Sequence, residues 1–201
     1  MWFRGFAVES ESVRVGERVY DLLRPSNGDA LLDDPRVIGR FERNEYLPYW
    51  ATLWPAALFL ADVVAAWGPV VTDGARPEVL ELGCGLGLAG LVALGLGYCI
   101  VLSDYDEDAL AFAQENARRN GLRTPAARLI DLRETYEELR PERILAADVL
   151  YEARNLAPVA SFIARHLRPT GFALVSDPNR SAANSFAAVA GTVGLTVRVT
   201  R

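Results

Sequence analysis

The sequence predicts a doubly wound, mostly parallel α/β sheet, and three observations carry the prediction. Short apolar runs recur along most of the chain, each ending at a turn signal, as buried strands do. Between them lie longer segments with helical spacing, so strands and helices alternate. Acidic residues fall where the apolar runs stop, at Glu81, Asp104, Asp131, Asp148 and Asp177. In open α/β sheets that is the end of the strand where ligands bind.

The chain opens differently. Ser12–Val15, the turn Gly16-Glu17 and Arg18–Leu22 read as a β-hairpin, followed by a loop from Arg24 to Asp29. The polar stretch from Asp33 to Glu45 is expected to be a mobile lid or a short helix. We therefore draw a hairpin and lid extension over residues 1–45 and the main domain over 46–201, the two forming one structural unit. Four aromatics and two prolines then crowd residues 46–55. Tyr46 and Trp67 are read as plugging one end of the sheet. For Tyr49, Trp50 and Trp54 two readings stay open, the same plug or the lining of a ligand mouth. There an aromatic face attracts a cation by about 0.5–2 kcal/mol.

Pro55 suits the start of a helix running from Ala56 to Trp67. Val79–Leu82 is the first parallel strand, and Gly83, Gly85 and Gly87 break it before a small-residue helix from Leu88 to about Leu96. Tyr98–Ser103 is the second strand, ending in Asp104-Tyr105-Asp106. Asp106 is read as the N-cap of a helix over Glu107–Asn120, which Gly121 ends. Ala126–Ile130 is a third strand leading to Asp131-Leu132, and Glu134–Arg140 a charged connection. Arg143–Tyr151 is the fourth strand with its loop, Leu156–Leu167 a helix, and Phe172–Ser176 the fifth strand. Ser181–Thr192 is a helix, and Leu195–Thr200 is expected to be a sixth strand.

The glycine turn defines the ligand. Alternate glycines let the backbone take positive φ and let a ligand approach without a Cβ in the way, while the next helix presents free N–H groups. Gly85–Gly90 fits the dinucleotide pattern G-x-G-x-x-G literally. The glycine run, however, begins at Gly83, and Glu81 sits two residues before it. A carboxylate there suits a cation better than a pyrophosphate. S-adenosyl-L-methionine, with ammonium and sulfonium groups, is such a ligand, and S-adenosyl-L-homocysteine is its demethylated form. Asp104, about 20 residues downstream, has the spacing of an acid that accepts from ribose hydroxyls. Asp131 either reaches an adenine amino group or pairs with Arg128 or Arg133.

Composition narrows the remaining classes. The 201 residues suffice for one large core. The formal net charge of −5, without a basic run, speaks against nucleic acid as a partner. The basic residues are all arginine. Two cysteines, Cys84 and Cys99, and the single His166 leave no basis for a metal site or a histidine-based triad. No charged and apolar leader or membrane-length apolar run is present, so the expectation is a cytoplasmic protein with no membrane partner.

The motifs together resemble a known family. Glu81-x-Gly83-x-Gly85-x-Gly87 resembles motif I of the class I, Rossmann-like methyltransferases. Pro48-Tyr49-Trp50 through Trp54-Pro55, followed by Asp148-Val149-Leu150-Tyr151, is similar to the family 16 protein-lysine methyltransferases. Asp177-Pro178-Asn179-Arg180 is most similar to the branch acting on the β subunit of electron transfer flavoprotein, whose relatives also carry the label nicotinamide N-methyltransferase-like. The resemblance spans roughly residues 40–180. It implies transfer of a methyl group from S-adenosylmethionine to a lysine of a protein substrate, in that branch the electron transfer flavoprotein β subunit. A small amine or other metabolite is the alternative acceptor. It also implies cofactor binding by Trp54, Glu81, Gly83, Gly85, Gly87, Asp104, Tyr105, Asp131, Leu132 and Asp148, with Asp148 anchoring the amine and Tyr151 shaping its channel. Against these roles stand two plainer readings: Asp148 satisfied by backbone N–H groups, and Tyr151 as packing. The literal G-x-G-x-x-G leaves a nicotinamide-dependent oxidoreductase as a further reading. The class I sheet ends with a seventh, antiparallel strand that this sequence lacks. The expectation is an uncapped apolar sheet edge, covered by the hairpin or by a partner, or a shortened chain that binds cofactor without turnover.

Overall fold

The computed structural model describes residues 1–33, 35–44, 47–72 and 74–200. The sheet-end role expected of Tyr46, and the boundary drawn between Glu45 and Tyr46, fall outside the described residues. The chain starts with a small antiparallel sheet, β1 (Trp2–Phe3), β2 (Phe6–Val15) and β3 (Arg18–Pro25). A 3-10 turn at Asp29–Asp33 and helix α1 (Pro35–Asn44) take up the polar stretch, and a second 3-10 turn at Tyr49–Ala51 carries the aromatic segment.

The main sheet is parallel throughout. Its strands are β4 (Glu78–Leu82), β5 (Cys99–Asp104), β6 (Ala126–Leu129), β7 (Arg143–Ala147) and β8 (Phe172–Ser176), in the spatial order β6-β5-β4-β7-β8. The order reverses beside β4, which opens a crevice between the carboxyl ends of β4 and β7. Helices α2 (Pro55–Ala65), α3 (Leu88–Gly95) and α4 (Glu107–Arg119) cover one face, and α5 (Ala153–His166) and α6 (Phe186–Thr192) the other. The side chains obey the two-residue period of a strand: Val79 and Leu145 enter the first core, whereas Leu80, Leu82, Ile144 and Ala146 enter the second. Trp67 closes the amino end of the sheet against Tyr98 and Phe172, with the Arg143 guanidinium 4.4 Å from its ring centre. Among the described residues no helix is long and apolar enough to cross a membrane.

The expected sixth strand does not form. The Leu195 N–H closes α6 on the Ala190 carbonyl, and residues 196–200 run exposed without ladder partners. β8 is the outermost described strand on its side of the sheet, and the segment forms no ladder with it. Nor does the hairpin cover that edge, because it is docked against α4 and α2.

Two asparagines make that docking. Asn116 accepts from the Leu23 N–H at 2.6 Å and donates to the Leu23 and Leu86 carbonyls at 3.3 and 3.0 Å. Asn120 repeats the pattern one helical turn later, accepting from Asp21 N–H and donating to Asp21 C=O, both at 2.9 Å. The amides thus act as a strand partner for the outer edge of β3. Below them Phe6, Leu23, Trp50, Leu86 and Phe112 share one apolar cluster.

Asn116 is fully buried and serves three backbone groups. Asn116→Ala leaves them unpaired, and we expect a loss of about 1–3 kcal/mol in urea unfolding, more than for the less buried Asn120→Ala. Equal losses for the two would contradict this account.

Candidate active site

The carboxyl ends of β4, β5, β6 and β7, with Arg180 from beyond β8, line one cleft of about 690 Å³, within the range of small-molecule sites. Its floor is the turn between β4 and α3. Gly83, Gly85 and Gly87 all have positive φ, at 60°, 52° and 83°, so the three glycines are a backbone requirement. A Cβ at Gly85 would meet the Trp50 backbone, its carbonyl oxygen at 3.4 Å.

Two acids hold this turn from below. Glu81 Oε2 accepts from the Gly90 N–H in the first turn of α3 at 2.9 Å, and Ser103 Oγ donates to the Glu81 carbonyl at 2.6 Å. A Cβ at Gly90 would overlap the Glu81 carboxylate and the Leu102 side chain, so glycine is what lets Glu81 fold under the helix. Asp104 accepts from Gly85 N–H at 2.9 Å and from Asp106 N–H at 3.1 Å. Asp106 caps α4, accepting from Asp108 N–H at 2.8 Å, as its position predicts. Neither Glu81 nor Asp104 has an ion-pair partner among the described residues. Burial pushes Glu81 up to about 8 and Asp104 up to about 6, the backbone hydrogen bonds opposing the shift only in part. Burial also raises the Cys84 thiol well above its ordinary value.

The far wall holds Tyr105, Asp131 and Leu132. Asp131 pairs with Arg133: its Oδ1 accepts from Arg133 Nε at 2.8 Å, which lowers its carboxyl. Arg128 pairs instead with Glu138. The aromatic segment divides. Trp50 is buried against Phe6 and Phe112, at 5.7 and 5.1 Å between ring centres, and belongs to the core although it borders the cleft. Tyr49, Trp54 and Tyr151 form the mouth, with the Tyr49 ring 6.0 Å from Trp54 and 5.3 Å from Tyr151. Trp54 is fixed by its indole N–H, which donates to the Tyr49 carbonyl at 2.8 Å. Burial raises the Tyr151 phenol.

Asp148 occupies the switch point between β4 and β7 in a left-handed conformation, φ 54°, its N–H donating to the Ser176 carbonyl at 2.8 Å. Its carboxylate is not left to backbone N–H groups. Arg180 grips it through both oxygens, Nε to Oδ1 at 2.6 Å and an Nη to Oδ2 at 2.9 Å. The sequence reading missed this partner, taking Arg180 only as part of a four-residue signature. The available signal was positional: β7 and β8 are neighbours in register, so an arginine just past β8 reaches an acid just past β7. Asn116, which ties the glycine turn to the hairpin at Leu86, was also missed. Its signal was an amide on the otherwise apolar face made by Leu110, Ala113 and Ala117. His166 serves structure, with Nδ1 donating to the Phe162 carbonyl and Nε2 accepting from Tyr136 N–H.

An open glycine cradle over two unpaired acids, beside an aromatic mouth, fits a cationic nucleoside ligand. Fold and site together define the class as the Rossmann-like, S-adenosylmethionine-dependent methyltransferases. The sequence model of a family described as lysine methyltransferase matches residues 49–187, and the chain belongs to that family. It is 28% identical to the histone-arginine methyltransferase METTL23 of Xenopus laevis, over 75% of this chain and 64% of that protein. It is 30% identical to the electron transfer flavoprotein beta subunit lysine methyltransferase of Xenopus laevis, over 67% of this chain and 54% of that one. The chain thus spans less than two thirds of the length of these relatives. The Thermus thermophilus 16S rRNA N2 G1207 methyltransferase RsmC, solved with AdoMet and guanosine, superposes with a TM-score of 0.62 at 20% identity. That match covers 90% of this chain and 45% of RsmC. A TehB-like SAM-dependent methyltransferase from Corynebacterium glutamicum gives 0.56 at 18% identity, over 84% and 85% of the two chains. Both share the fold.

The raised acids make stability and binding depend on pH. Between its ordinary 4.5 and about 8, Glu81 keeps in the folded state a proton that the unfolded chain has released, so stability falls as pH rises through that window. Glu81→Gln should flatten the decline, as followed by urea midpoints across pH. A bound cation favours the ionised carboxylate, so S-adenosylmethionine should bind with proton release near neutral pH. Calorimetry in buffers of different ionisation heat reads that release, and a release unchanged in Glu81→Gln would exclude Glu81 as its source.

Proposed function

We propose that the chain is an N-methyltransferase that transfers the S-adenosylmethionine methyl group to a lysine side chain of a protein substrate. The observation that carries the reading is the placement of Asp148 and Tyr151, the ends of the family's D-x-x-Y, in one cleft with the glycine cradle. The relatives named for protein substrates support it. The cofactor supplies a methyl group on a positively charged sulfur, whose departure needs no general acid. What remains for the protein is position and protonation state. An acceptor nitrogen has to be held in line at about 3–3.5 Å from the methyl carbon, with its lone pair free. A lysine amine ionises near 10.4, so it has to be delivered neutral. The collar of Tyr49, Trp54 and Tyr151 narrows the mouth with apolar surface, and desolvation there disfavours the ammonium. Asp148 accepts a hydrogen bond from the amine and orients it.

Two measurements test the proposal. Thermal unfolding with S-adenosylhomocysteine at about 100 times its Kd should rise by roughly 5–10 °C, from about 2.7 kcal/mol of linkage, whereas NAD should give none. A shift with NAD alone would replace the reading with an oxidoreductase. Transfer of labelled methyl into a cell extract should put the label on protein lysine, and because this chain has no lysine such label lies on a substrate. Label found only in small molecules would establish the metabolite alternative instead. Asp148→Asn, which tolerates the left-handed backbone, should lower turnover about 100-fold while leaving the S-adenosylhomocysteine shift in place.

A further inference from the structure

We infer that Arg180 is a positioning residue that cancels the charge of Asp148, so that the cleft admits its acceptor amine neutral and turns away the ammonium form. The inference rests on the methyltransferase reading and deepens it. A bare carboxylate in the amine site would work against methyl transfer. It would stabilise the ammonium, and an opposite charge within about 4–6 Å shifts a pKa by 1–3 units in that direction. The lone pair needed for attack would then carry a proton. Paired with a guanidinium, the same carboxylate presents no net charge but keeps acceptor capacity. It has about four lone-pair sites, and Arg180 uses one on each oxygen.

The pair is built into the fold. Asp148 is held by its left-handed backbone and the bond to Ser176. Arg180 is presented by a turn in which its own N–H donates to Asp177 Oδ1 at 2.6 Å and Asn179 takes φ 69°. The guanidinium carbon lies 5.7 Å from the Trp54 ring centre. The Asp148 side chain is 5% exposed and that of Arg180 36%, so the acid is withdrawn and the base faces the approach. The other ionisable groups around the pair are Glu152, Tyr49, Tyr151 and Asp177, the last of which adds to the attraction on Arg180. Asp177 accepts from the Arg180 N–H through Oδ1 while its Oδ2 is buried without a hydrogen-bond partner among the described residues, Glu152 pairs with Arg154, and burial raises the Tyr151 phenol.

The test uses 2,2-difluoroethylamine, a small amine that titrates near neutral pH, bound to the protein saturated with S-adenosylhomocysteine and followed by fluorine NMR. Wild-type affinity should rise with pH through the probe's own titration, because the neutral form binds. In Arg180→Gln the dependence should reverse, with the ammonium form bound at least about tenfold tighter than by wild type. Arg180→Lys, which keeps the charge and loses the fork, should retain the wild-type direction. Coincident profiles for wild type and Arg180→Gln would overturn the inference, as would wild-type binding of the ammonium form equal to the neutral one, or no saturable wild-type binding of the neutral form. Should Arg180→Gln fail to fold, the wild-type and Arg180→Lys profiles decide by the same criteria. Failure of wild type to bind S-adenosylhomocysteine sinks the methyltransferase reading, and the inference with it.

Discussion

The structure depends on two buried carboxylates that hold a glycine turn by its backbone. Glu81 accepts from the first turn of α3 and Asp104 accepts from the turn itself at Gly85. Each comes from the end of a parallel strand, so the register of β4 with β5 places both acids under the loop. The glycines are what that position demands: three residues with positive φ, and a fourth, Gly90, whose missing side chain makes room for the Glu81 carboxylate. Burying these acids without cations disfavours their ionised forms, as their upward shifts record. The hydrogen bonds and the positive end of α3 offset part of that cost. A cationic ligand resting on the turn would offset more, so the least comfortable part of the fold is the part most relieved by binding.

The amino-terminal hairpin belongs to this arrangement. Asn116 holds Leu23 of β3 and the Leu86 carbonyl of the glycine turn with one amide. The turn is therefore gripped from two sides, by carboxylates on its N–H groups and by an amide on a carbonyl. Trp50 closes the same region, stacking between Phe6 of the hairpin and Phe112 of α4 while its carbonyl faces Gly85. An extension that looks dispensable by position thus braces the glycine turn from behind.

What the amino-acid pattern revealed, and what it hid, follows from the range of each interaction. The parallel strands, the glycine turn, the N-cap at Asp106 and the hairpin rest on local rules, and they were legible to within a few residues. Leu195–Thr200 has a strand's composition, but a strand needs a receiving edge, and composition says nothing of its neighbour. Asp131 carried two readings because a strand-end acid and an arginine two residues on are compatible with both, and the local Arg133 contact is present. Asp148 was singled out by its motif and lines the cleft, yet whether its charge is paired depends on Arg180, which stands beside it only because β7 and β8 are adjacent. Residue identity marks an acid; only the sheet order shows whether it is paired.

That difference divides the cleft into two electrostatic regions. At the floor, Glu81 and Asp104 have no guanidinium partner among the described residues, so the charge that a bound cation draws out on them is not cancelled. Elsewhere in the cleft Asp131 pairs with Arg133, Glu152 with Arg154, and Asp148 with Arg180. A uniformly acidic cleft would concentrate cations of every kind and would hold an incoming amine in its protonated, unreactive form. A uniformly neutral one would lose its grip on a sulfonium ligand. Placing unpaired acids under the glycine turn and paired acids along the approach satisfies both demands with the same residue type. The arginines that do the pairing are therefore as much a part of the candidate chemistry as the carboxylates they cover.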